Sequence, residues 1–362
     1  MVLKDRAKPK NLKGKTHHIG ALFGTMPETR GLLMRMTKSC FLLAIATLLF
    51  FQPAGGNAQG AKMTVGQTGT NPGTALYFIA EKEKLFAKHG LDVNIVKTNT
   101  AAAVQAMLGG SMQMATGSGA AAFVTATLEG APPFVLVGSW VNVFPYKVMT
   151  HKDITKVADL KGKTGHVGAP FGTIPDTALR FALTKLKLDP DKDVKLVQIG
   201  NADAATIIAA MDKGEVQFGP LVPPLDRIAE KKGFRSLISL PELGIPWQQN
   251  GEWVQGSYLK SNRENVVRYM RAISDAIKFY FEQKEKTINY LTEYLGSNRE
   301  DTEYAYQMFA KWADRNPKPK IEAVRTTLDA IKKNTPRAAS ADPASFVDTS
   351  IMDQLIKEGY IK

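Results

Sequence analysis

Leu160-Lys-Gly-Lys-Thr-Gly-His-Val-Gly-Ala-Pro-Phe-Gly-Thr-Ile-Pro-Asp-Thr177 joins a turn, a strand, a glycine-rich loop and a helix start within one short run. Residues 164–167 make a short apolar strand between glycines, and Gly168, Pro170 and Gly172 break regular structure. From Ile174 onward Ala178, Leu179, Phe181, Ala182 and Leu186 recur at helical spacing. A helix start leaves backbone N–H groups without internal partners, and the helix dipole adds partial positive charge there. The stretch therefore reads as an anion-ready helix N-terminus in an α/β unit, with a capped structural loop as the plain alternative.

The same alternation of short strand and helix runs outward in both directions. On the N-terminal side it gives strand 62–67, helix 74–89 stopped by Gly90, strand 91–96, helix 101–108, strand 112–115 and a helix ending at Leu128, then strands 134–137 and 146–150. On the C-terminal side it gives strand 194–199, helix 201–213, strand 216–218, helix 224–232 and strand 236–240. A further strand at 253–259 precedes helical segments at 263–283, 286–295, 299–312, 321–334 and 349–358. This order predicts an α/β protein with mainly parallel sheets. Residues 148–244 form a second lobe, entered and left by extended crossings; residues 59–147 with 245–362 form the first. Two connecting strands make a hinge.

Six loops sit between a strand's C-terminal end and a helix start: 67–71, 98–100, 116–119, 172–173, 201–203 and 220–223. In open α/β sheets ligands bind at that edge. The loops are rich in Gly, Thr, Ser and Asn and hold no Lys or Arg. If the lobes face each other, the loops converge on one cleft that grips an anionic head group through neutral hydrogen bonds. The candidate contacts are Gln67, Thr68, Asn71, Thr98, Asn99, Thr116, Ser118, Gly172, Thr173 and Asn201. Asp176 and Asp203 lie in first helical turns, where they cap the helix or, facing the cleft, ask for an amine on the solute. Trp140 and Trp247 flank the crossings, as core or as a wall against an organic tail.

Residues 12–29 nearly copy the opening stretch, with thirteen of eighteen positions identical. Arg35 and Lys38, the apolar run 41–51 and Gly-Asn-Ala at 56–58 then follow the pattern of a secretory signal peptide over 34–58. The run is shorter than the roughly twenty residues a bilayer span requires. Residues 1–33 are read as a non-native upstream extension left by a duplicated neighbour, with translation starting at Met34 or Met36. Residues 1–58 carry nine Lys or Arg against two Asp or Glu, +7 of the whole chain's +13. The basic balance therefore belongs mostly to the discarded part, and nucleic acid is not an expected partner. Cys40, the single cysteine, precedes the apolar run, where no lipid anchor would be attached. His89, His151 and His166 are too scattered for a metal motif or a catalytic triad, so neither metal, cofactor nor catalysis is expected.

Gly66-Gln67, Leu-Phe-Ala-Lys-His-Gly-Leu-Asp-Val at 85–93, Val-Ala-Asp-Leu-Lys-Gly-Lys-Thr-Gly at 157–165 and Phe-Gly-Thr-Ile-Pro-Asp-Thr at 171–177, together with the export signal, resemble the nitrate, sulfonate and taurine group of ABC-transporter substrate-binding proteins. The ending 346–361 is similar to that group's as well. The resemblance implies a type II periplasmic binding fold, a helical C-terminal part, and a monomer that delivers a small anion to an inner-membrane permease and its ATPase. Carried over by position, it implies ligand contacts at Gln67, Thr116, Ser118, Gly172 and Thr173. Gly172-Thr-Ile-Pro-Asp176 and Gly219-Pro-Leu-Val-Pro223 depart from the sulfonate binders and argue against taurine or alkylsulfonates. Two alternatives share the fold: a sensor that signals to a receptor, and an enzyme like the thiamin-pyrimidine synthases, whose cysteine cluster this chain lacks.

Overall fold

The computed structural model describes residues 60–168, 171–199 and 204–361. The upstream copy, the signal peptide, Asn201 and Asp203 lie outside the described residues. The first lobe opens with β1 (Ala61–Thr68), α1 (Ala75–Lys82), α2 (Leu85–Lys88), β2 (Leu91–Thr98), α3 (Thr100–Leu108), β3 (Met114–Ser118), α4 (Ala121–Leu128) and β4 (Phe134–Val141). The second contains β5 (Lys147–Thr150), β6 (Thr164–His166), α5 (Ile174–Lys185), β7 (Lys195–Val197), α6 (Ala204–Asp212), β8 (Phe218–Leu221), α7 (Leu225–Lys231) and β9 (Arg235–Ser239). The chain then returns through β10 (Asn250–Gln255) to α8 (Gly256–Ser261), α9 (Arg263–Glu282), α10 (Lys284–Leu295), α11 (Arg299–Trp312), α12 (Ile321–Ile331) and α13 (Ser350–Lys357).

Two five-stranded sheets result, ordered β2-β1-β3-β10-β4 and β7-β6-β8-β5-β9. They are mixed rather than mainly parallel. β1 runs parallel to β2 and β3, and β6 to β7 and β8, whereas β10 is antiparallel to both its neighbours and β5 to both of its own. The exceptions are the two strands that carry the crossings. A strand entering from the hinge runs opposite to strands that end there and hand over to helices. The crossing segments pair with each other: Trp247 N donates to Asn142 O at 3.0 Å, Gln249 N to Val141 O at 3.1 Å, and Leu240 N to Tyr146 O at 3.0 Å. The result is a two-stranded antiparallel hinge.

Helix α9 organises the first lobe. Val266, Tyr269, Met270, Ile273, Ile277 and Tyr280 recur at three- and four-residue steps and are fully buried, or nearly so, against α1, β1 and β10. Each such burial contributes about 1.5–3 kcal/mol. The expected helix 74–89 is broken, because Lys84 turns left-handed at φ 54° and separates α1 from α2. The expected strand 253–259 lies earlier, at Asn250–Gln255, and gives way to α8. In the second lobe Trp247 stacks on Phe144, centroids 4.4 Å apart, and on Phe181, so it roots the hinge in that lobe's core. Among the described residues no helix is long and apolar enough to cross a membrane.

Candidate functional site

The parallel strands end towards the space between the lobes, and their short polar loops begin helices there. A cavity of about 900 Å³ opens between the lobes, lined by Asn99, Ala121 and Ala122 on one side and Phe171, Gly172 and Asp176 on the other. Ile174 at the start of α5 closes against Gly119, and a Cβ on that glycine would lie 2.6 Å from Ile174 Cγ1. The two helix starts therefore meet across the cleft.

The described part of the quoted stretch, residues 160–168 and 171–177, folds as expected up to its charge balance. Gly172 takes φ 81°, which turns the chain into α5, and Pro175 occupies the first turn, where a missing N–H costs nothing. One donor that was to receive an anion is used internally: Gly172 N donates to Asp176 Oδ2 at 2.8 Å. Asp176 is 4% exposed and also accepts from Arg180 Nε at 2.7 Å. Arg180 in turn reaches Asp191 at 2.6 Å and stands 5.6 Å from the ring of Phe171. Thr173 sits in extended conformation before α5, and its carbonyl accepts from Thr177 N.

The candidate residues of the first lobe fall into separate groups. Thr68 and Ser118 meet, their hydroxyl oxygens 3.0 Å apart, at the adjoining ends of β1 and β3. Asn71 accepts from Gly73 N and Thr74 N and caps the turn before α1. Asn99 accepts from Ala102 N and caps α3 at the cavity wall, and Thr98 Oγ1 donates weakly to the Asn99 carbonyl at 3.4 Å.

Three side chains point elsewhere than the expected cleft. Thr116 is fully buried and gives its hydroxyl to Glu252, 3.0 and 2.7 Å from the two carboxyl oxygens. Strand alternation explains this, since Thr116 shares its face with Met114, which packs under α1 and α9. Gln67 donates to Gly69 O and to Tyr294 OH and lines a smaller cavity of about 300 Å³ with Tyr77, Ile95 and Lys97. Trp140 belongs to the first lobe's core. It is 1% exposed, edge-on to Tyr280, with its indole N–H donated to Gly73 O at 3.1 Å.

Sequence reading passed over Glu252 and Gln248. Glu252 collects hydroxyls from Tyr77, Thr116 and Tyr269, and burial nonetheless pushes its pKa up to about 7. Gln248, fully buried in the crossing, donates from Nε2 to Ser118 O at 3.1 Å. The signal for it was three amides in a row, Gln248-Gln249-Asn250, in a segment read only as a connector.

On another face the lobes are tied by charge. Lys231 of α7 pairs with Asp301 of α11 at 2.6 Å, and Arg227 with Glu300 at 2.6 Å. Asp226 is fully buried and accepts from Tyr304 OH at 2.6 Å and from Lys147 at 3.1 Å. Burial works against the Lys147 charge, but the Tyr304 hydroxyl and Asp226 outweigh it and raise its pKa.

The profile of the NMT1/THI5 like family matches residues 71–287, more than half of the chain, and the chain belongs to that family. YtlA of Bacillus subtilis (strain 168), assigned as a binding protein, is 26% identical over 273 residues, which cover 70% of this chain and 78% of YtlA. The alkanesulfonate-binding protein SsuA of Xanthomonas axonopodis pv. citri, solved with MOPS bound, superposes with TM-score 0.65 at 16% identity, covering 81% of this chain and 99% of SsuA. The periplasmic nitrate-binding protein NrtA of Synechocystis PCC 6803 gives TM-score 0.64 at 14% identity, covering 84% and 91%. The fold is that of the periplasmic binding proteins.

Proposed function

We propose that this chain is an exported solute-binding protein that closes its two lobes on a small organic anion and delivers it to an ABC permease. The first lobe is taken as residues 59–147 and 245–362 and the second as 148–244, except that Phe144, Lys147 and Trp247 of the crossings pack with the second lobe. The observation that carries the reading is the cavity of about 900 Å³ lined from both lobes beside a hydrogen-bonded two-strand hinge. Its size favours an organic solute over a bare inorganic anion. SsuA and NrtA are named for anions, which supports an anionic head group here.

With Asp176 occupying the α5 start, the head group belongs on the first lobe, near Ser118 and α4, with the Arg180–Phe171 pair over the organic body. A synthase-like cysteine cluster has no counterpart in a chain whose single cysteine is Cys40. Export through the signal peptide over 34–58 and action as a monomer complete the reading.

The test is a thermal-shift screen of carboxylates and sulfonates on the mature chain, paired with solute uptake in a deletion strain. A true ligand at a hundredfold excess over its Kd stabilises the protein by about 2.7 kcal/mol. Absence of a shift with every organic anion refutes the ligand class, and uptake unchanged by deletion refutes delivery.

A further inference from the structure

We infer that Phe171 is a specificity-determining residue of the cleft, and that the organic body of the solute is an aromatic ring that stacks on it. The inference rests on the function proposed above and names the substrate class of that site. Phe171 is 47% exposed, more than any other large apolar side chain among the described residues, and it lines the interlobe cavity. The fold gains nothing from a ring left in water, whereas a solute that covers it removes apolar surface from water. A cavity of about 900 Å³ has room for a solute of that size.

The support under the ring is fixed. Gly172, next in the chain, takes φ 81°, and its N–H is held by Asp176 at 2.8 Å. Arg180 stands 5.6 Å from the ring centroid and is itself tied to Asp176 at 2.7 Å and to Asp191 at 2.6 Å. A guanidinium held by two carboxylates braces the ring from α5. Across the cavity, α3 and α4 present Ala101, Val104, Ala121, Ala122 and Ala126. Side chains this short leave the depth of the cavity to the solute. Arg180 is the single cation among the described lining residues, and both of its carboxylate partners are already in place. The body of the solute is therefore recognised here by shape and by stacking rather than by charge. Stacking on a side-chain ring adds to area burial for an aromatic solute and not for a saturated one.

Three matched pairs test this on the mature chain by calorimetry: benzoate and cyclohexanecarboxylate, phenylacetate and cyclohexylacetate, and 3-phenylpropanoate and 3-cyclohexylpropanoate. A saturated ring is the more apolar partner and would bind tighter to a merely apolar wall, so preference for the aryl acid isolates stacking. At least one aryl acid should bind the wild type about threefold or more tighter than its saturated partner. Phe171→Leu, which keeps an apolar side chain and removes the ring, should abolish or reverse that preference, and Phe171→Trp should keep it. Because the position is exposed, both variants should melt with the wild type. Equal or reversed affinity in every pair of the wild type overturns the inference, and binding of the saturated acids then leaves the proposed function intact. A preference that survives Phe171→Leu overturns it as well. Failure of all these acids to bind removes the inference, and the thermal-shift screen of other carboxylates and sulfonates then decides separately whether the anion reading stands.

Discussion

Glu252 and His166 are two buried titratable groups whose effects on stability oppose each other. Glu252 has a folded pKa raised from 4.5 to about 7, first by burial, so the native state holds its proton more tightly than the unfolded chain. Its contribution is fully present below about pH 4.5 and is lost as pH rises towards 7, a swing of up to about 3 kcal/mol. His166 is fully buried with neither ring nitrogen partnered, and burial lowers its pKa from 6.5 to about 4. Its contribution is present above about pH 6.5 and is lost as pH falls towards 4. Because the two windows overlap with opposite sign, these groups should leave the wild-type melting temperature nearly flat between about pH 4.5 and 6.5. Glu252→Gln should raise stability above pH 7, change little at pH 4.5 and unmask the loss towards acid pH, and His166→Gln should unmask the Glu252 loss towards pH 7. Parallel curves for wild type and Glu252→Gln would show that the buried carboxyl does not titrate in this range.

Element starts and stops are set by a few backbone positions, and two of them can be tested. Lys84 separates α1 from α2 in a left-handed conformation that a side chain disfavours. Lys84→Gly should stabilise the fold by about 0.5–1 kcal/mol in denaturant titration, because glycine adopts that conformation without a Cβ penalty. Gly119 lies where α4 and α5 approach from opposite lobes. Gly119→Val would drive branched carbon into Ile174 and hold the helix starts apart. Solute affinity should fall about tenfold or more with the melting transition preserved, and scattering should report a larger radius of gyration. Unchanged affinity would mean that closure at this point is not needed for binding.

Across the molecule, the closure proposed above would balance the hinge against the charges that face each other from the two lobes. Asp301 and Asp226 are nearly or fully buried, so their partners on the opposite lobe matter more than ordinary surface pairs would. Replacing Arg227 and Lys231 together by alanine strips α7 of its cations. The variant should populate the open form more, weaken solute binding several-fold to about tenfold, and lose the salt dependence of the wild-type affinity. Equal affinity and equal salt response in both proteins would assign these pairs to crystal-like surface decoration rather than to closure.

The alternation of strand and helix, the glycine turn into α5 and the extended crossings were legible in the sequence, because periodicity and turn chemistry act over a few residues. Family resemblance likewise rested on contiguous motifs. What tertiary structure alone decided is where each polar side chain points. Thr116 turned inward to Glu252, 136 positions away, and Gln248 came to rest on Ser118, 130 positions away. Asp176 filled the helix start that the sequence offered to an anion. A strand exposes alternate residues to opposite faces, and which face meets the cleft depends on the helices packed behind it. That choice is made by contacts between distant parts of the chain, which no local pattern records.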